Sequence, residues 1–503
     1  MNLKKYLQNI EFNNNIENSI YTTIFIEQIL ALHIRKQDKP FYTEYKIHSF
    51  FADGYAPEGF DNFIGPTLFE IKTTHSKLNI KNPLIKELLK ISATNFSDIK
   101  NIIFISTQIQ SAIKLSEIEY NFFADKNIRI EIWGINELNN IIEKESEVKN
   151  IFNNLFTIKL KNTLLKQSNW EEEQENIITQ VSEAFQDGQF ALILGAGVSC
   201  SAGIANWNKL INSLLISFLS KELENIPSIS QLDISQISNR LTNIDASSAL
   251  ITARYLRKGL CKGKDTKLDK TFKQEIKNSL YTLRDKKYPK DSNLIKEIVH
   301  LCIPKRSGAK IKAVITYNFD DLIEQELKKQ GIEFCSICTE DNTHSIEELP
   351  IYHVHGFIPE YEEHYNIKNG NAPIFSEEEY HQVYSTPYHW SNLIQLSYFR
   401  EYTCLFIGLS MTDPNLRRLL EISARQSNSP KHYAFLQRIQ LDNFIKDKDI
   451  KFIDNEDVAA IYLDMHHKLQ EELMKELGIS VIWFKSFNDI PKILNKLYQN
   501  RYK

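Results

Sequence analysis

Apolar side chains recur at helical spacing over residues 16–34, with Ile16, Ile20, Ile24 and Leu30 on one side of the helix they predict. Short β-type runs follow at 67–71, 101–106 and 128–133, and this first mixed α/β region closes near residue 160. A second helix is predicted over 169–189, with Ile177, Val181 and Phe185 on one face. Gly188 ends it, because glycine tolerates the left-handed backbone that terminates helices. The chain then enters the apolar run FALIL. Further β-type runs at 312–317, 351–354, 403–409 and 479–484 alternate with helical stretches, the pattern of a doubly wound parallel sheet. The expected fold class is α/β in two domains, residues 1–165 and residues 166–503.

Composition narrows the classes without naming a partner. A chain of 503 residues exceeds what one hydrophobic core usually serves, in keeping with two domains. Hydrophobic residues at 42% and charged ones at 25% exclude a disordered or fibrous chain. A net charge of −4 excludes a strongly basic nucleic-acid sleeve or an acidic tail as properties of the whole chain, while leaving room for a local basic face. No run approaches the roughly 18 apolar residues of a membrane span, and MNLKKYLQNIEFNNN lacks an apolar secretory core, so a cytoplasmic protein without a membrane partner is expected. Cys200, Cys261, Cys302, Cys335, Cys338 and Cys404 are scattered, which reads as reduced thiols rather than a disulfide framework.

Candidate chemistry clusters at the predicted strand ends of the second domain. At 191–203, ALILGAGVSCSAG runs from strand through Gly-Ala-Gly-Val-Ser into a helix. Small residues there let backbone N–H groups approach a pyrophosphate, with Gly195 and Gly197 at the close positions. Alone, the motif reads equally well as a glycine turn. At 315–324, ITYNFDDLIE places Asn318 and Asp320 where an open parallel sheet binds ligands; both residue types are also favoured helix caps. At 351–356, IYHVHG places His353 and His355 on one face of a strand, with Gly356 opening space beyond. At 405–418, LFIGLSMTDPNLRR is strand, Gly-x-Ser and a helix begun by Asp413 and Pro414.

These four elements, in this order over about residues 180–485, resemble the sirtuin (SIR2) family, whose fold is Rossmann-like. GAGVSCSAGI resembles its phosphate-binding motif, TYNFD its asparagine motif, HVHG its catalytic His-Gly and GLS the segment holding the adenosine end of NAD+. GAGVS followed by Trp207, NFDDLIE and FIGLSMTDPNLRR are closer still to the SIR2-like proteins of bacterial antiviral defence. The resemblance implies NAD+ contacts from Gly195, Ala196, Gly197, Ser199, Thr316, Gly408, Ser410 and Asp413. It implies that Asn318 orients the ribose and a water, that His355 bonds the ribose hydroxyls and assists deprotonation, and that Asp320 supports them.

Two departures bear on the chemistry. Sirtuin deacylases hold a structural zinc with two Cys-x-x-Cys pairs; here only Cys335 and Cys338 form one, so no structural zinc is expected. The Pro-Asp-Phe-Arg-like segment of the deacylases is replaced by ANWN at 205–208. The expected reaction is therefore hydrolysis of NAD+ to nicotinamide and ADP-ribose as an anti-phage effector, rather than protein deacylation. Such an activity would harm its own cell, so inhibition until a signal arrives is expected. A homo-oligomer or a partner ATPase would supply the signal, although no residue pattern identifies either.

The first domain carries a second constellation. Gly65-Pro66 marks a turn, and the strand after it presents Glu70 and Lys72 on one face, with Asp61 on the preceding arm. An Asp, a Glu and a Lys converging in this way suit a divalent cation such as Mg2+ and a polarised water or phosphate. The pattern resembles the PD-(D/E)XK restriction-endonuclease superfamily over about residues 15–145, with Glu27 or Glu17 as an added helical acid. Lys77, Lys81, Lys86 and Lys90 are candidates for phosphate contacts with DNA or another nucleic acid. The alternative functional reading is a metal-dependent DNA endonuclease regulated by a nucleotide in the SIR2-like domain. A nuclease fold kept only for binding or docking is also open.

Overall fold

The computed structural model describes residues 3–8, 15–47, 50–73, 99–107, 128–165, 169–223, 270–282, 284–304, 308–365, 373–386, 388–425, 429–447 and 450–499, with single positions between 236 and 256. Lys77, Lys81, Lys86, Lys90 and Cys261 lie outside them. The chain divides into two compact units, Met1–Gln167 with Ala424–Pro430, and Ser168–Ser423 with Lys431–Lys503.

In the first unit, the long helix Asn15–Arg35 precedes strands β1 (Tyr42–Ile47), β2 (Phe50–Ala56), β3 (Gly59–Phe60), β4 (Phe63–Ile64), β5 (Thr67–Lys72), β6 (Asn101–Ser106) and β7 (Arg129–Trp133). Five of these form a mixed sheet in the order β1-β2-β5-β6-β7, antiparallel from β1 to β5 and parallel from β5 to β7. The helix buries Tyr21, Phe25, Ile29 and Ile34, in one core cluster with Phe69, Ile71, Ile103 and Ile105 of the sheet. Of the predicted face, Leu30 is fully buried in this cluster, Ile24 packs at its margin and Ile20 is half-buried, so the buried stripe is centred on the aromatic residues rather than on those isoleucines. Burying the large rings of Tyr21 and Phe25 removes more apolar surface from water than burying isoleucines would.

In the second unit, the helix Trp170–Asp187 is capped by the Asn169 side chain, which accepts from Glu171 N at 3.2 Å, and it ends at Gly188 with φ +75°. The strands that follow are β8 (Phe190–Leu194), β9 (Ile311–Thr316), β10 (Phe334–Ile337), β11 (Leu349–His353), β12 (Thr403–Ile407), β13 (His432–Gln437), a small hairpin β14 (Lys446–Asp447) and β15 (Ile450–Lys451), and β16 (Ile479–Phe484). Seven of them pair in parallel in the order β10-β11-β9-β8-β12-β13-β16. Alternate residues of the central strands enter different cores. Leu192, Leu194, Val314 and Leu405 join one, and Ala191, Ile193, Ala313, Ile315 and Phe406 join the other. Both faces of the sheet are therefore buried, the condition under which all-parallel sheets form.

Strand order decides where a ligand can go. From the central strand β8 the chain passes to β9 on one side and later returns to β12 on the other. The β8–β9 and β12–β13 connections therefore run toward opposite edges of the sheet, the arrangement that defines a topological switch point, where open α/β sheets bind ligands at the carboxyl ends of the strands.

Candidate active site

The glycines of the first motif lie at that switch point, and the packing explains why nothing larger fits. Gly195 N donates to Ile407 O and Gly197 N to Gly408 O, each at 2.9 Å. A Cβ on Gly195 would stand 2.5 Å from the Leu409 side chain, and one on Gly197 would stand 2.8 Å from Gly408 Cα. Gly408 itself has φ +72°, and a Cβ there would stand 2.6 Å from Val198 N. The close approach that demands glycine is therefore first between two backbones. Ala196 is exposed and Gly197 half-buried, so this side of the loop remains open to a ligand.

A cavity of about 530 Å³ opens beside it, bounded by Gly197, Gly408, Ser410, Arg417, Phe435 and Phe484 among others. Its volume lies in the range of small-molecule sites. Ser410 bonds Thr412 at 2.6 Å. Met411 between them is buried at φ +58°, a left-handed conformation costly for a non-glycine residue. Asp413 serves as the cap of the helix Pro414–Ala424, accepting from Leu416 N at 2.7 Å and from the Tyr380 hydroxyl at 3.0 Å.

The asparagine loop crosses to the glycine loop. Thr316 Oγ1 accepts from Asn318 N at 3.1 Å, and Asn318 Nδ2 donates to Gly195 O at 2.9 Å. Asp320 is buried, accepts from the Ser199 hydroxyl and takes Leu322 N at 3.3 Å, satisfying the first N–H of the helix Leu322–Lys329 from one residue outside the cap position, which Asp321 holds. Burial, with smaller contributions from Asp321 and Glu324, pushes its carboxyl up to about 6.

The two histidines of HVHG occupy different environments. Strand β11 ends at His353, so the two-residue alternation expected to align it with His355 stops there. His353 is fully buried, with Nδ1 3.1 Å from Asn318 O and Nε2 2.6 Å from Glu324 Oε1. His355 is half-buried in the following turn, its ring edge-on to Tyr317 with centroids 4.7 Å apart. Burial lowers its pKa below the ordinary histidine value, while the Asp413 carboxylate acts in the opposite direction. The segment after Gly356 is clamped by Asp321, which accepts from Glu360 N at 3.2 Å and from the Tyr365 hydroxyl at 3.0 Å. Trp207, from the ANWN segment, packs on Phe375 with ring centroids 4.7 Å apart, giving that departure a structural role. Cys338 is buried, which pushes its thiol up to about 11, and Cys335 donates to Thr343 O at 3.5 Å.

In the first unit, Lys72 Nζ lies 2.5 Å from Glu70 Oε1. The acid that joins them across the sheet is Asp53, a residue the sequence reading passed over. Its Oδ2 accepts from Ile71 N, between Glu70 and Lys72, at 2.6 Å. Asp61 instead sits at φ +42° and faces the buried His33, 3.0 Å from Nε2, and Gln37 at 2.9 Å. Glu27 is buried on the long helix. Among the described residues, no three or more His, Cys, Asp or Glu side chains are grouped to hold a metal ion. By donor chemistry alone, Asp53 and Glu70 are carboxylates of the kind magnesium uses one or two at a time, with water and substrate phosphates completing its shell.

The second unit is thus a doubly wound parallel α/β fold of the Rossmann type, and the SIR2-like domain family matches residues 312–459. Two curated relatives narrow the comparison. The NAD(+) hydrolase ThsA of Enterococcus faecium is 22% identical over 332 residues, covering 64% of this chain and 57% of the relative. The NAD(+) hydrolase ThsA of Acinetobacter baumannii (strain 532279) is 22% identical over 339 residues, covering 65% and 57%. The match therefore spans somewhat more than half the length of each relative. Among the described residues, no helix is long and apolar enough to cross a membrane.

Proposed function

We propose that the second unit hydrolyses NAD+ to nicotinamide and ADP-ribose, and that this activity serves anti-phage defence by draining the nucleotide. The observation that carries the reading is the bond from Asn318 Nδ2 to Gly195 O, which ties the asparagine motif to the glycine loop at the switch point. Similarity to two NAD(+) hydrolases supports the same reaction. The 530 Å³ cavity takes the adenosine end, and the open side of Ala196 and Gly197 takes the pyrophosphate. Gly195, Ser199, Thr316, Gly408 and Asp413 shape these loops from behind.

Cleavage of the nicotinamide–ribose bond builds positive charge on the ribose, so the site must hold an oxocarbenium-like centre and deliver a nucleophile to it. With Nδ2 of Asn318 engaged by Gly195, its Oδ1 is the atom that orients the ribose and the attacking water. His355, whose lowered pKa favours the neutral ring, accepts the proton from that water directly or through a ribose hydroxyl. Asp320 holds the Ser199 end of the glycine loop beside them. Purified protein incubated with NAD+ should release nicotinamide and ADP-ribose in equal amounts, and Asn318→Ala or His355→Ala should abolish the release. Intact NAD+ with every trigger tried, DNA and Mg2+ included, would overturn the reading.

A second reading assigns the first unit a metal-dependent cut in DNA, with the nucleotide site as its regulator. Asp53 beside Glu70 and Lys72 favours it. In that reading Asp53 and Glu70 hold Mg2+, which would supply Lewis acidity at a phosphate, while Lys72 orients the attacking water. Asp61 is then a supporting residue. Further parts of the proposal are a cytoplasmic homo-oligomer and control by nucleic acid or a partner ATPase.

A further inference from the structure

Behind the candidate site lies a buried ion-pairing group that the proposed reaction does not use. His353 and Glu324 are 0% and 1% exposed at their side chains, and they meet at 2.6 Å. Glu324 lies in the helix Leu322–Lys329, which begins just past Asn318 and Asp320. Its Oε1 also accepts from the Ser336 hydroxyl at 3.1 Å, and Ser336 belongs to β10. Bringing such a pair out of water is expensive, and well-packed apolar residues are often at least as stabilising. Stability alone therefore does not account for it.

Hydrogen-bond logic shows what the pair does. The backbone oxygen of Asn318 can only accept, so the 3.1 Å contact requires a proton on His353 Nδ1. That orientation leaves the other ring nitrogen facing Glu324, with a single proton in the 2.6 Å contact between Nε2 and Oε1. Glu324 therefore fixes the ring, and the ring fixes the peptide of Asn318. From the other side, Gly195 fixes the Asn318 amide. Backbone and side chain are held by separate partners, which leaves Oδ1 with little rotational freedom. The phenyl ring of Phe357, 4.1 Å from the His353 ring centroid to centroid, closes the group on another side.

We propose that His353, oriented by Glu324, is a positioning residue that sets the Asn318 side chain for attack on the ribose. The inference rests on the NAD+ hydrolase reading. A misplacement of about 1 Å at a reacting group can cost on the order of 100-fold in rate, so a hydrogen bond to the backbone of Asn318 is enough to matter.

Two substitutions separate positioning from mere packing, because the amide of asparagine takes the place of Nδ1 and that of glutamine the place of Nε2. His353→Asn keeps the bond to Asn318 O and gives up Glu324. His353→Gln keeps Glu324 and gives up Asn318. For variants that melt as folded proteins, His353→Gln should lower kcat by roughly 10- to 100-fold with KM for NAD+ little changed, while His353→Asn recovers most of the rate. Hydrogen exchange followed by mass spectrometry supplies a readout that does not depend on turnover. Amides of 317–321 should exchange faster in His353→Gln than in His353→Asn, with β12 unaltered. The reverse order, or equal exchange and equal rates in the two variants, would overturn the proposal. Should the wild-type protein release no nicotinamide, the hydrolase reading fails by that result, and the exchange comparison still decides whether His353 holds the Asn318 segment.

Discussion

Asn318 Nδ2 donates to the backbone oxygen of Gly195 at 2.9 Å, joining residues 123 apart in the chain. Because that bond is buried, removing the donor leaves a carbonyl unsatisfied, at a cost of about 1–3 kcal/mol. Asn318→Asp, which places a carboxylate against that carbonyl, should destabilise more than Asn318→Ala. Urea unfolding of the two variants checks the order, and nicotinamide release should be lost in both.

Gly408 tests the backbone contact at the switch point. An alanine there must adopt φ +72° and bring its Cβ to 2.6 Å from Val198 N. Gly408→Ala should destabilise by about 1–3 kcal/mol from backbone strain. It should also weaken binding of ADP-ribose measured calorimetrically, since the glycine loop must shift to relieve the contact.

Asp320 makes stability depend on pH in an unusual direction. Its carboxyl is pushed up to about 6 in the folded protein, above the unfolded value near 4. The folded state therefore binds the proton more tightly than the unfolded chain does. The group's contribution is fully present below about pH 4 and is lost as pH rises through about 6, with a swing of up to roughly 3 kcal/mol. Asp320→Asn should gain stability relative to the wild type between those limits. Denaturant titrations at pH 4.5, 5.5 and 7 would show that gain, and a constant difference would contradict it.

In the first unit, Asp53 and Asp61 should separate by phenotype. Asp53→Asn and Glu70→Gln should abolish any Mg2+-dependent nicking of plasmid DNA while leaving NAD+ consumption in the absence of DNA unchanged. Asp61→Asn should retain nicking and lower the melting temperature, because it removes one of the two carboxylates held by His33. Loss of nicking in Asp61→Asn alone would return that residue to the site.

Much of the second unit was legible before its structure. FALIL forms β8 at Phe190–Leu194, the run at 479–484 forms β16, and Gly188 ends its helix. These features depend on near neighbours, and apolar periodicity reports near neighbours. Strand β13, HYAFLQ, and strand β10, FCSI, were not singled out, because a strand buried on both faces or lying at a sheet edge lacks the clean alternation that marks a half-buried one. In the first unit the β-type runs begin only at residue 67, so β1 and β2, and Asp53 with them, lie outside the strands that the apolar pattern predicts.

The sequence by itself determined the α/β class, the order of the strand-end motifs and the residue types gathered in them, since each is a property of a few consecutive residues. Only the tertiary structure decided which of those residues meet. Antiparallel register, not nearness in the chain, brings Asp53 to the Glu70–Lys72 strand and leaves Asp61 to His33. The end of β11 at His353 separates two histidines that share a motif, sending one into the core and leaving the other half-buried in the turn beyond. Parallel strand order brings Asn318 to the backbone of Gly195 and packs the turn after Gly195 on Gly408. Local spacing cannot encode such contacts, because they form only when separate segments of the chain are packed together.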